Sequence, residues 1–148
     1  MANAAATGGL TDEQIAQEKK FMEGLPRMNW GALLLAPIWG PAHGMWATFL
    51  YYPLWIFVDN CVFAAVQQPT PLSVSVAVLL SVVTVGSCVA FGIVSQPLAA
   101  HRAERLGVSR ATYLKRERIW AVAGAVGAVA VLALATWYNL SMRGLGAL

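Results

Sequence analysis

Three stretches of this chain contain no Lys, Arg, Asp or Glu: residues 28–58, 60–101 and 119–142. Each exceeds the roughly 20 residues that cross a hydrocarbon core as a helix. Inside lipid the backbone polar groups must find partners within their own segment, so runs of this kind fold as helices. The composition agrees, with 58% hydrophobic residues and 11% charged, against roughly 25% charged in soluble domains. The sequence therefore predicts an all-α integral membrane protein of three transmembrane helices, one small bundle with no separate soluble domain. Its charges gather at 12–27 and 102–118, with Asp59 and Arg143 isolated. The net charge of +3 comes mostly from the second cluster, which reads as a topology signal rather than a nucleic-acid footprint. Cys61 and Cys88 lie in different apolar runs at no ligand or redox spacing and read as small membrane hydrophobes.

In chain order, residues 1–10 lack the basic start and apolar core of a signal peptide and read as a disordered tail. Residues 11–27 form an amphipathic helix: Thr11 and Gln14 make a capping-box pattern, Asp12 and Glu13 fill the first turn, and Gly24 and Pro26 end it. Its apolar face of Ile15, Met22 and Leu25 suits a helix on the cytoplasmic headgroups, or a plain polar lead-in. Asn29 then caps a short helix from Trp30, which Pro37 and Pro41 keep from continuing regularly. A straight helix from Trp30 to Gln67 would be about 57 Å long, nearly twice the roughly 30 Å core. The positive-inside tendency favours one crossing over two, which leaves 30–40 as a re-entrant or interfacial half-helix and 45–66 as the first span. Gln67 to Pro71 is a helix-breaking outer turn, 72–95 the second span, 96–118 a basic cytoplasmic helical loop and 119–141 the third span. Gly86 with Ala90, Cys88 with Gly92, Ala123 with Gly127 and Gly124 with Ala128 place small residues four apart, as in close helix packing in lipid.

Asn29-Trp30-Gly31-Ala32, then Pro37-Ile38-Trp39-Gly40 and His43-Gly44, resemble the opening of a family of small bacterial inner-membrane proteins of unknown function, marked by an Asn-Trp-Gly/Ala-Ala start and a Trp-Gly turn. The run Tyr113 to Trp120, with Gly124, is similar to the elements before that family's last helix, while Pro41 departs from its pattern. The resemblance implies a multi-pass protein of the bacterial plasma (inner) membrane, N-terminus cytoplasmic. It carries no activity or catalytic residues to transfer.

Candidate functional residues are Asn29, Trp30, Trp39, His43 and Asp59, the last being the only formal charge between Arg27 and Arg102. An intramembrane carboxylate must be protonated, face water, or reach an interface. Arg102, Arg105, Arg110, Lys115, Arg116 and Arg118 form a basic surface for anionic lipid or a partner, or simply set orientation. His43 and His101 could pair on haem or metal, and the aromatics Trp46, Phe49, Tyr51, Tyr52, Trp55 and Phe57 could floor a quinone or lipid cavity. Capping and packing explain both more simply, so no cofactor and no metal are expected. No nucleophile, base and orienter occur at recognisable spacing. The reading is a non-enzymatic interaction, scaffold or accessory subunit whose partners are the lipid bilayer and a membrane protein or second copy, with no nucleic acid. The alternatives are an oligomeric transport or channel subunit using Asp59 and the broken half-helix, and a haem- or quinone-binding anchor.

Overall fold

The computed structural model describes residues 11–144, so the expected tail at 1–10 lies outside the described residues. In order the elements are α1 (Asp12–Met22), α2 (Trp30–Leu34), α3 (Ala36–Ala42), a 3-10 helix (Trp46–Leu50), α4 (Tyr51–Gln67), α5 (Pro71–Arg105) and α6 (Arg110–Ser141), with no strand among the described residues. Three helical stretches, Trp46–Gln67, Pro71–Arg105 and Arg110–Ser141, are long and apolar enough to cross a membrane. The architecture is that of an all-α, multi-pass membrane protein. At about 1.5 Å per residue α5 is about 52 Å long and α6 about 48 Å, so both project well beyond a core of roughly 30 Å. Pro97 lies inside α5 and does not end it. Both projecting ends are basic.

The half-helix expected at 30–40 is two short helices, α2 and α3, separated at Leu35 (φ −136, ψ 49). The break has a local cause: a continuous helix would drive the Pro37 ring into the carbonyl four residues back, whereas a fresh start at Ala36 puts Pro37 in a first turn that needs no N–H. The hairpin enters and leaves at one end of the bundle. At its start the Asn29 N–H donates to the Gly92 carbonyl at 2.8 Å; at its finish His43 faces Glu117 and Trp120. Its tip, Leu35, lies against Gly127. From residue 117 to residue 127 along α6 is about 15 Å, so the hairpin tip reaches about 15 Å along α6 from the end at which the hairpin enters and leaves.

The small residues of the spans make room for this hairpin. A Cβ on Gly92 would meet Leu33 Cβ at 3.2 Å, one on Gly124 would meet Leu34 Cβ at 3.4 Å, and one on Gly127 would lie 2.5 Å from Leu35 Cδ1. Close backbone approach in lipid is what such residues permit. Here they admit α2 between α5 and α6, and not a further spanning helix.

That wedge shapes the bundle. α4 leans on α5 and α6 leans on α2, while α5 and α6 touch each other only thinly. The buried core of Ala32, Trp39, Ala99, Ala100 and Tyr113 sits at the basic end, with Phe91, Met45 and Trp120 packed around it. The other end is splayed. α1 buries none of its residues fully but is clamped to the basic elbow: Glu18 accepts from His101 at 2.9 Å, Phe21 stacks on the His101 ring at 4.0 Å, and Arg110 donates to the carbonyls of Phe21 and Glu23.

Candidate functional site

The innermost polar cluster is built on Asn29, whose three side-chain hydrogen-bonding roles are all taken. Its Oδ1 accepts from the Ala32 N–H at 2.9 Å and so caps α2. One Nδ2 hydrogen goes to Gln96 Oε1 at 3.0 Å and the other to Glu117 Oε2. One amide thus ties the hairpin to both long helices. Asn29, Gln96 and Glu117 are 1%, 0% and 7% exposed, and groups so buried are stable only when bonded. Trp39, fully buried, stacks on His43 at 3.9 Å. The Trp39 carbonyl can only accept, so Nδ1–H of His43 is the donor in their 2.7 Å contact. The other ring nitrogen, Nε2, faces Glu117 Oε1 at 3.8 Å.

The expected site residues divide. Asn29, Trp39 and His43 converge here, whereas Trp30 is 54% exposed and points away. Of the basic residues, Arg102 and Arg116 line a cavity beside His43 and Glu117, and Arg110 clamps α1. Arg105, Lys115 and Arg118 stand exposed on the elbow. His43 and His101 are held apart by different partners, Trp39 and Glu18, and no group of metal-ligating side chains forms among the described residues. Sequence reasoning missed Gln96, Tyr113 and Glu117. A signal for two of them was present: Tyr113, Glu117, Trp120 and Gly124 recur at i, i+4, i+7 and i+11, one helical face that carries a lone acid into a basic run.

Asp59 lies at the splayed end, where a cation reaches it from just past the third span. Arg143, just past α6, donates Nη1 to Asp59 Oδ2 at 3.0 Å and Nη2 to Asn60 Oδ1 at 2.9 Å. Asn139 donates to Asp59 Oδ1 at 2.8 Å, and the guanidinium lies 3.6 Å over the Phe63 ring. The pairing arises because the last turn of α6 lies level with Asp59 and arginine carries its charge on a long apolar stem. With the Asp59 side chain 38% exposed, screening limits its worth. A double-mutant cycle of Asp59→Asn and Arg143→Gln in detergent melts should return a coupling on the order of 1 kcal/mol. Additive effects would show that the pair contributes nothing.

Between α4 and α6, above the hairpin, the splay leaves a cleft of about 620 Å³. Leu35, Pro37 and Ile38 floor it, Tyr52, Trp55 and Ile56 form one wall, Val131, Leu134 and Ala135 the other, and Asp59, Asn60 and Arg143 lie at its polar end. Of the aromatics weighed for a cavity, Tyr52 and Trp55 line this cleft, while Trp46 and Phe49 stack on each other outside it, both exposed. No protein-family model, curated protein or solved structure matches this chain.

Proposed function

We propose that this chain is a non-enzymatic multi-pass protein of the bacterial inner membrane, an accessory or interaction subunit that holds a lipid-like amphiphile in the cleft between α4 and α6. The cleft carries the reading: apolar on its floor and walls, with a self-neutralised Asp59–Arg143 cluster at one end that suits an uncharged hydrogen-bonding head. Ligand pockets of roughly 300–1,000 Å³ are the ordinary range for small amphiphilic molecules. A transport subunit would need Asp59 for its pathway, and that carboxylate is bound by Arg143 and Asn139.

Filling the cleft tests the reading. Ile56 and Leu134, each 63% exposed, can become tryptophan without crowding the core. Native mass spectrometry of the Ile56→Trp/Leu134→Trp variant released from membranes should show at least tenfold less co-purifying chain-bearing ligand at unchanged melting temperature. Equal ligand in variant and parent would remove the proposal. The proposed orientation puts the N-terminus and the basic loop in the cytoplasm, since Arg102, Arg105, Arg110, Lys115, Arg116 and Arg118 face only Glu104 and Glu117. Reporter fusions at residue 69 and at Leu148 should both read outside, and an inside signal at either overturns it.

A further inference from the structure

At the basic end a second cavity, of about 200 Å³, lies between the α5–α6 elbow and the close of the hairpin. Its lining includes His43, Arg102, Tyr113, Arg116, Glu117 and Trp120. Tyr113 and Glu117 are 6% and 7% exposed, yet Tyr113 Oη and Glu117 Oε1 have no hydrogen-bond partner. Buried polar atoms are nearly always bonded, so two orphans on residues that line one cavity mark an incomplete site. Arg102 and Arg116 form no ion pair among the described residues. Gly44, at φ +77, brings Arg102 in: a Cβ there would come within 2.6 Å of its Cζ, so only glycine lets the guanidinium lie on the turn.

The lining has two chemical halves. Arg102, Arg116 and the Tyr113 hydroxyl are donors, the two guanidiniums permanently charged, which is the donor set that phosphate oxygens take. Glu117 Oε1 and His43 Nε2 are the other half. Because Nδ1 of His43 carries its proton to the Trp39 carbonyl, the neutral ring presents a lone pair at Nε2, 3.8 Å from the carboxyl oxygen. Two acceptors facing each other need a donor beside both. A primary ammonium supplies three N–H groups and a charge opposite to that of Glu117, and Trp120, whose ring lies 5.7 Å from His43, offers an aromatic face next to it. The spacing Tyr113, Arg116, Glu117, Trp120 sets donors and acceptors on one face of α6.

We propose that this cavity binds an aminoalkyl phosphate, its phosphate on Arg102, Arg116 and Tyr113 and its primary ammonium on Glu117 and His43. The same chemistry occurs in an aminophospholipid headgroup and in free phosphoethanolamine. The site is independent of the α4–α6 cleft, so it is tested in the cleft-filled variant, where failure of one reading leaves the other standing. The protein is titrated in detergent with short-chain phosphatidylethanolamine, phosphatidylglycerol and phosphatidylcholine, and separately with soluble phosphoethanolamine, reading melting temperature and bound mass. Phosphatidylethanolamine should bind at least tenfold tighter than phosphatidylglycerol, which lacks the amine, and than phosphatidylcholine, whose quaternary amine has no N–H. Binding by the soluble compound alone would assign the site to a free aminoalkyl phosphate; binding by the lipid alone would assign it to the headgroup layer. Tyr113→Phe should weaken binding about tenfold and Arg102→Gln/Arg116→Gln about a hundredfold. Glu117→Gln should erase the preference for the amine, and because Glu117 also anchors Asn29, the exposed arginines keep the test decisive if that variant fails to fold. Equal binding of the three lipids and of phosphoethanolamine, or indifference to the arginine pair, overturns the proposal.

Discussion

Replacing Asn29 by alanine should lower folding stability by about 3–7 kcal/mol, beyond the 0.5–3 kcal/mol of most substitutions. The loss has three parts. The α2 cap is removed, worth about 1 kcal/mol, and Gln96 Oε1 and Glu117 Oε2 each lose a buried donor, at roughly 1–3 kcal/mol per unpaired group. Asn29→Asp separates the parts, since it keeps the oxygen that caps α2 and loses both donors while setting a second carboxyl beside Glu117. It should be at least as unstable as the alanine variant at neutral pH. Its deficit should narrow as pH falls, because protonating one carboxyl removes the repulsion and restores a donor. Thermal melts in detergent micelles across pH measure both. If Asn29→Asp melts with the parent, the residue is a helix cap and nothing more.

Much of this architecture is legible in the sequence, for a physical reason: charge-free runs longer than a bilayer admit few folds. The three spans and the break after Asn29 follow from charge, length and proline alone. The cap on α1 is local, and Thr11 and Gln14 bond reciprocally as their spacing implies, at 2.9 and 3.2 Å. Pro37 and Pro41 mark the hairpin as irregular, but its depth is set by Gly92, Gly124 and Gly127 on helices distant in sequence. The same small residues look like an intermolecular seam until α2 is seen lying in them.

The polar sites were legible only by halves. Asn29 reads as a cap because its local role is local, while its two further bonds run to residues 67 and 88 positions away. Glu117 hides in a basic run, where an acid looks like a solvated neighbour of Lys115 and Arg116. Asp59 is conspicuous in the sequence, but its partner Arg143 lies outside the third run, and which helix ends stand level is a tertiary fact. The cleft has no local signature at all. It exists because the hairpin wedges between α5 and α6 at one end and leaves α4 and α6 apart at the other.

Gly40→Ala in α3 should be strongly destabilising, and its sign runs against helix propensity. In an unconstrained helix the change is favourable by about 1 kcal/mol. At residue 40, however, a new Cβ would lie 2.7 Å from both Cβ and Cγ2 of Thr48, and closer still to its Oγ1. Neither side can yield. Thr48 is buried and its hydroxyl is bonded to the Met45 carbonyl at 2.8 Å, while the Met45 N–H is bonded to the Gly40 carbonyl at 2.7 Å. The clash therefore falls on a turn closed by its own hydrogen bonds, and a loss of about 3 kcal/mol is expected, the upper end for overpacking. Gly86→Ala is the control: it sits exposed in α5 with nothing within 4 Å of its would-be Cβ, so it should stabilise by up to about 1 kcal/mol. Adding Thr48→Gly to Gly40→Ala removes all three clashing atoms and should recover about 2 kcal/mol relative to the sum of the single changes. The consequence reaches both cavities, because this turn fixes the finish of the hairpin that carries His43 on one side and Ile38 on the other. Should Gly40→Ala and Gly86→Ala shift the melt in the same direction, the close approach of α3 to the 3-10 helix is not what holds the hairpin in place.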